Sequence, residues 1–326
     1  MIPAGSRKSR SKEKTPVAAL YPLFPRTTSR GQKEKHLRRR IQFPVTPQKF
    51  AICNETFAPL GASDPWTFER TCAFLKMAGY DGVELAPFTF APDVREVNSA
   101  RRAQIRRIAA DSGLEIVGLH WLLVSPPGLH VHTTDLTVRA RTLDYLRALV
   151  DFAGDVEAKV LVLGSPKART LEGGDFDGAW KRTIETLHAL TPTLEARGVT
   201  LCPEALPAPE ADFLLTQAEI WRLVEETNHR NIQMMLDVKS MCSEPEGSGG
   251  LIQRFGGRAV HLHANDANRR GPGFGATDFA RIARATVESG FEGWVSVEVF
   301  DYSPDPETVA RESLRHLREC WEETIR

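Results

Sequence analysis

From Phe50 to the C-terminus, short apolar runs alternate with longer amphipathic stretches. The runs are Phe50–Asn54, Gly82–Ala86, Glu115–Leu123, Val160–Gly164, Val199–Glu204, Ile232–Val238, Ala259–Ala264 and Trp294–Phe300. Their starts lie 27 to 45 residues apart, room for a loop and a helix in each gap. Most are continuously apolar rather than alternating, the pattern of parallel strands covered on both faces. Between them, Thr67–Ala78 has a helical pattern that stops at Gly79, a suitable C-cap. Leu143, Leu146, Leu149, Val150 and Phe152 mark one helical face, and Asp278–Val287 and Pro306–Cys320 read the same way. Eight strand–helix units over residues 47–326 predict an α/β chain folded as a closed (β/α)8 TIM barrel. An open doubly wound sheet would bring a Gly-rich phosphate loop after its first strand. Here Asn54-Glu55-Thr56-Phe57-Ala58-Pro59 follows.

Charge changes the picture at one end only. The 42 basic and 42 acidic residues cancel, yet residues 1–49 hold 13 Lys+Arg against Glu13 and Glu34. That segment carries a net +11 and the remainder −11. Residues 1–46, with the runs Arg7–Lys12 and Lys33–Arg40, read as a basic, low-structure tail ahead of a catalytic barrel over 47–326. The tail reads first as a plain extension, with targeting or polyanion contact as lesser readings. An acidic barrel is a poor match for a phosphate backbone, which argues against a nucleic-acid partner. At 41% hydrophobic and 26% charged, the chain is neither fibrous nor wholly disordered, and no run approaches a membrane span. Five widely spaced cysteines without a CxxC argue against a disulfide framework and for a reducing, cytoplasmic location.

In a barrel, active-site groups sit at the C-terminal ends of the strands. Charged residues inside apolar strands are costly unless paired or bound to a metal. Glu204, Asp237, His263 and Glu298 come from the fifth to eighth runs in succession. Neighbouring strand ends lie about 4.8 Å apart, so four such side chains can converge on one ion. Three carboxylates and an imidazole suit Mn²⁺ best, with Mg²⁺, Co²⁺ or Zn²⁺ as alternatives.

This set resembles the metal site of the xylose-isomerase-like sugar epimerase/isomerase superfamily, particularly its D-tagatose 3-epimerase branch, over roughly residues 50–322. In that branch a metal-binding Glu on strand 5 is followed six residues later by a second Glu, as Glu204 is by Glu210. The strand-7 His is followed six residues later by an Arg, as His263 is by Arg269. A Pro-Gly-x-Gly segment comes next, matched by Pro272–Gly275, and Glu298 matches the metal-binding Glu of strand 8. One departure stands out. The branch carries Asp-x-x-His on strand 6, and here Asp237-Val238-Lys239-Ser240 has Ser in the place of His. The Asp-x-His that the superfamily's apurinic-site endonucleases carry after strand 7 is also missing from Ala276-Thr277-Asp278-Phe279.

The resemblance implies a divalent-metal-dependent sugar or keto-sugar isomerase or epimerase, with a small carbohydrate substrate and a homo-oligomer as an open option. Proton abstraction beside a carbonyl would run through a metal-stabilised enediolate, with Glu204 and Glu298 as base and acid. A lyase or dehydratase acting on a keto-sugar or keto-inositol uses the same site and is the alternative; a non-catalytic binding subunit is a weaker one. Substrate contacts are expected from Glu210, Arg269, His120, Lys239, Glu84 and Trp121, against plainer readings: surface or loop charges for Glu210, Arg269 and Lys239, paired core groups for His120 and Glu84, and core packing for Trp121. Asp266 is expected to support the ligands from behind. Phe57 is either sugar wall or core. His261 shares the strand parity of His263 and is expected beneath the site, while His130 and His132, in a Pro-Gly loop, are expected to face solvent.

Overall fold

The computed structural model describes residues 47–326; the expected basic tail, 1–46, lies outside the described residues. Eight strands form one parallel sheet: β1 Phe50–Cys53, β2 Gly82–Leu85, β3 Glu115–Leu119, β4 Val160–Leu163, β5 Thr200–Pro203, β6 Met234–Asp237, β7 Ala259–Ala264 and β8 Trp294–Val297. The ladder runs β5-β4-β3-β2-β1-β8-β7-β6. A single parallel bridge between Leu201 of β5 and Ile232, two residues before β6, spans the remaining seam and leaves the barrel nearly closed. Each of the eight expected runs contains one strand. The helices are α1 Phe68–Ala78, α2 Ser99–Asp111, α3 Leu136–Val156, α4 Phe176–Arg197, α5 Gln217–Thr227, α6 Val238–Met241, α7 Gly247–Phe255, α8 Phe279–Ser289 and α9 Pro306–Ile325.

Local chemistry sets the helix ends. Thr67 caps α1 by accepting from the Arg70 amide at 3.2 Å, and Gly79 ends it at φ +96°, a left-handed turn that suits glycine. Asp278 and Asp305 cap α8 and α9 in the same way. Alternate strand residues then divide the molecule into layers. Ile52, Leu85, Leu119, Leu201, Leu262 and Val297 belong to the main core cluster with the helices. Val160, Val162, Cys202 and Met235 form a second, small cluster. The remaining lumen is polar: Glu84, His261, His263 and Ser296 have no exposed surface. Among the described residues no helix is long and apolar enough to cross a membrane.

Candidate metal centre

Two consecutive strand ends deliver the first carboxylates. Glu204 follows β5 and Asp237 ends β6; His263 lies in β7 and Glu298 follows β8. All four are buried, and one ligand atom from each lies within 4.8 Å of the others. His263 stands between the two glutamates, with Nδ1 3.5 Å from Glu204 Oε1 and 3.3 Å from Glu298 Oε2. No hydrogen bond satisfies this buried Nδ1. The Nε2 edge faces Glu84 Oε1 at 3.2 Å. A carboxylate on the far ring N–H is the usual support of a metal-ligating histidine, because it orients the ring and would leave the near nitrogen to an ion that displaces its proton. Three carboxylate oxygens around an imidazole lone pair fit a divalent cation.

The backbone explains why the set holds its shape. Asp237 caps α6, its Oδ1 accepting from the Ser240 amide at 2.7 Å. Asn265 Nδ2 donates to Asp237 Oδ2 at 2.6 Å and to Glu298 Oε2 at 3.1 Å, while its Oδ1 accepts from the Lys239 amide at 2.8 Å. One amide side chain thereby ties β6, β7 and β8 together. Arg169, 2% exposed, donates from a guanidinium N–H to the Glu204 carbonyl at 2.6 Å, and its other side-chain nitrogens have no partner. A Cβ on Gly164 would meet Glu204 Oε2 at 2.1 Å, so the carboxylate passes where only glycine leaves room.

Electrostatics divide the cluster. Burial and the nearby Glu298 and Asp237 carboxylates push Glu204 above the usual carboxylate range, although His263 opposes them. Burial likewise raises Asp237 against the pull of Lys239. Burial works against the charge on Glu298, yet His263 and His120 outweigh it and hold that carboxyl well below its ordinary value. Burial also disfavours a charged His263, and Glu298 and Glu84 overcome it. His120 Nε2 lies 2.8 Å from Glu55 Oε2 and Nδ1 3.2 Å from Glu298 Oε1. Against the cost of burial, Glu55 leads in pushing His120 up to about 10.

The other sequence candidates divide into three groups. At the mouth, Lys239 Nζ bonds both oxygens of Glu210, at 2.9 and 2.8 Å, and Arg269 approaches Glu210 Oε1 at 3.7 Å. Burial opposes the Lys239 charge, but Asp237 and Glu210 raise its pKa. Trp121, in a left-handed conformation at φ +53°, packs tilted against Phe300 at 6.3 Å and edge-on to Phe88 at 5.9 Å. Below the four ligands, Glu84 is fully enclosed. Its two oxygens serve His261 at 2.9 Å and His263 at 3.2 Å, which leaves none for a substrate. His120 is likewise occupied on both nitrogens. Away from the four, Asp266 accepts from Thr277 Oγ1 at 2.8 Å and shapes its own loop rather than backing His263.

Three expectations for aromatic and histidine residues resolve clearly. Phe57 packs on Trp66 and Phe74, with centroids 5.0 and 5.5 Å away, and belongs to the core. His261 lies under the site as its parity indicated. His132 does not face solvent. It is buried against Phe213 at 4.7 Å, with Nε2 donating to the Arg169 carbonyl at 2.9 Å, because its loop folds inward onto the Arg169 segment. Arg169, Asn265 and Glu55 were not singled out by the sequence. Asn265 and Glu55 carried a local signal as polar residues at strand ends, and Arg169 carried none.

The profile of a protein family described as xylose isomerase-like TIM barrel matches residues 72–320. The chain belongs to that family. Within it, the chain is 33% identical to a D-psicose 3-epimerase of Ruminiclostridium cellulolyticum over 126 residues, 39% of this chain and 43% of that protein. The aligned stretch is thus less than half of that relative. A fructoselysine 3-epimerase of Shigella flexneri is 24% identical over 249 residues, 74% of this chain and 88% of that protein. An inosose dehydratase of Erwinia tasmaniensis is 23% identical over 314 residues, 86% of this chain and 98% of that protein. Among solved structures, a D-psicose 3-epimerase in the presence of D-fructose superimposes with a TM-score of 0.73 at 21% identity. That match covers 84% of this chain and 99% of the other, and it speaks for the fold alone.

Proposed function

We propose that this chain is a divalent-metal-dependent sugar epimerase or isomerase that moves a proton beside a ketone. The observation that carries the reading is the convergence of one ligand atom each from buried Glu204, Asp237, His263 and Glu298 within 4.8 Å of one another. Those four residues would hold the ion, and three hard oxygens with one imidazole favour Mn²⁺. When bound, a divalent cation there polarises a ketose carbonyl and makes the adjacent C–H more acidic. Glu204 and Glu298 flank His263, so one carboxylate can take the proton and the other return it. Return to the opposite face epimerises; return to the neighbouring carbon isomerises. Lys239, Glu210, Arg269 and Trp121 supply the mouth that orients the sugar. His120 holds Glu298 in place, with Glu55 behind it. The epimerase relatives support this reaction class. Five free thiols fit the reducing cytoplasm.

NMR of the Mn²⁺-loaded protein in D₂O with a panel of ketoses and 3-keto-glycosides tests the reading. Deuterium beside the carbonyl together with a new sugar isomer is the expected result. No exchange from a fully loaded site across the panel would sink it.

A second reading, a lyase, has two supports: the likeness to an inosose dehydratase along nearly the whole barrel and Ser240 at the place of the branch histidine. The same spectra separate the two, because a lyase loses water or a leaving group instead of returning the proton.

A further inference from the structure

Two of the three carboxylates in the centre are held on both oxygens, and the third is not. Asp237 Oδ1 accepts from the Ser240 amide at 2.7 Å, and its Oδ2 accepts from Asn265 Nδ2 at 2.6 Å. Glu298 Oε1 lies 3.2 Å from His120 Nδ1, and its Oε2 accepts from the same Asn265 Nδ2 at 3.1 Å. Among the described residues, no donor other than the His263 ring, 3.5 Å away, faces the Glu204 carboxylate.

Asn265 is the residue that the two held carboxylates share. It directly follows β7 and has no exposed surface. Its Oδ1 accepts from the amide of Lys239, in α6, at 2.8 Å. That bond settles which way the side-chain amide points, and it leaves both Nδ2 hydrogens to the carboxylates. One nitrogen with two N–H bonds in a plane then fixes Asp237 and Glu298 relative to each other.

Hard divalent cations accept the same donor types, and ligand number and flexibility separate them. Ca²⁺ collects many oxygens in a flexible shell and commonly takes both oxygens of one carboxylate. Smaller octahedral ions take fewer protein oxygens. A carboxylate with an N–H on each oxygen cannot swing to present both without giving up a hydrogen bond, and such a bond to a buried charge is costly to lose.

We infer that Asn265 is a positioning residue that makes the centre selective. It holds Asp237 and Glu298 to one free oxygen direction each, which favours Mn²⁺ over Ca²⁺. The inference rests on the reading above, that Glu204, Asp237, His263 and Glu298 hold a divalent ion, and adds which ion the site refuses. The His263 imidazole also disfavours Ca²⁺, which prefers oxygen, but it is the same in wild type and in any variant of Asn265.

Calorimetry on metal-free full-length protein measures the Mn²⁺ and Ca²⁺ affinities separately. The electron-spin signal of free Mn²⁺ during Ca²⁺ competition gives their ratio a second way. Asn265→Leu removes both side-chain bonds at similar volume. Asn265→Asp keeps the shape and an oxygen for the Lys239 amide but loses the donor; its added charge attracts both ions alike, so the ratio is what is read. Thermal melts show that each variant folds. Wild type is expected to prefer Mn²⁺, and both variants to lower that preference at least about tenfold, the scale on which such supporting partners act. A ratio unchanged in a folded variant overturns the inference and leaves the metal reading standing. An equal loss of affinity for both ions, the mark of a merely structural role, does the same. Wild-type protein that binds neither ion overturns the metal reading and the inference together.

Discussion

Arg169 donates to the main-chain carbonyl of Glu204 across 2.6 Å, and among the described residues no carboxylate pairs with this buried guanidinium. Burial disfavours its charge and lowers its pKa to about 10, although the Glu204 carboxylate counteracts this. An unpaired buried cation costs stability, so its removal need not unfold the protein. Arg169→Met is therefore expected to leave the melting temperature within a few degrees of wild type. Exchange beside the carbonyl is expected to fall at least about tenfold, because Glu204 loses the clamp on its backbone. Thermal melts with exchange rates check this. A loss of activity that follows a loss of fold would remove Arg169 as a positioning residue.

Glu204 offers a test of opposite sign in two states. Without metal, three buried carboxylates face one another, and Glu204→Gln removes one of the charges. Metal-free Glu204→Gln is expected to be more stable than metal-free wild type, by on the order of 1 kcal/mol. With Mn²⁺ the order reverses, because the variant has lost a ligand. Denaturant melts with and without EDTA read both comparisons.

Chelation itself is the third test. Dialysis against EDTA is expected to abolish exchange, and added Mn²⁺ to restore it. Asp237→Asn is expected to need far more Mn²⁺ for the same recovery. Activity that survives complete metal removal would break the link between these ligands and the chemistry.

Glu84 holds the His263 ring from beneath, so an ion bound there would feel Glu84 through that ring. Burial would push its carboxyl up, but His261 and His263 hold it well below the usual range, so it is an anion under the site. Glu84→Gln is expected to weaken metal affinity by about 10–100-fold, the usual effect of losing such an orienting partner. Metal titration of the variant checks the size. An unchanged affinity would show that β7 packing alone orients the ring.

His132 predicts a pH dependence remote from the metal. Burial lowers its pKa below the ordinary 6.5, with the charges of His130 and Arg182 adding to this and the bond to the Arg169 carbonyl opposing it. The folded state therefore binds fewer protons than the unfolded state. Its contribution to stability is complete above about pH 6.5 and declines as pH falls below that value. His132→Gln is expected to flatten the melting-temperature profile between pH 7.5 and 5.5. A profile with the same slope in both proteins would place the titration elsewhere.

Much of this architecture was readable from the chain. Glycine and capping residues marked helix ends such as Thr67 and Gly79, and the eight runs marked the strands. Glu204, Asp237, His263 and Glu298 stood out because an ionisable group inside an apolar run needs a partner. Glu84 met the same criterion, and the sequence left it between substrate contact and structural pairing. A strand pattern gives the face on which a side chain lies but not its depth in the barrel, and Glu84 lies below the ligands rather than beside the mouth. His132 shows the same limit in a loop, where polarity alone pointed outward.

The sequence alone determined the order of the strands and helices, the parity that turns His261 and His263 into the lumen, and the four ionisable residues Glu204, Asp237, His263 and Glu298 that converge at the strand ends. These follow from local periodicity and from the cost of burying charge in an apolar strand. Tertiary structure decided which partner each charge found. Arg169 meets Glu204 from 35 residues away, and Glu84 meets His263 from 179. Closure of the barrel brings distant strands to a shared axis, and no local pattern encodes which side chains then touch.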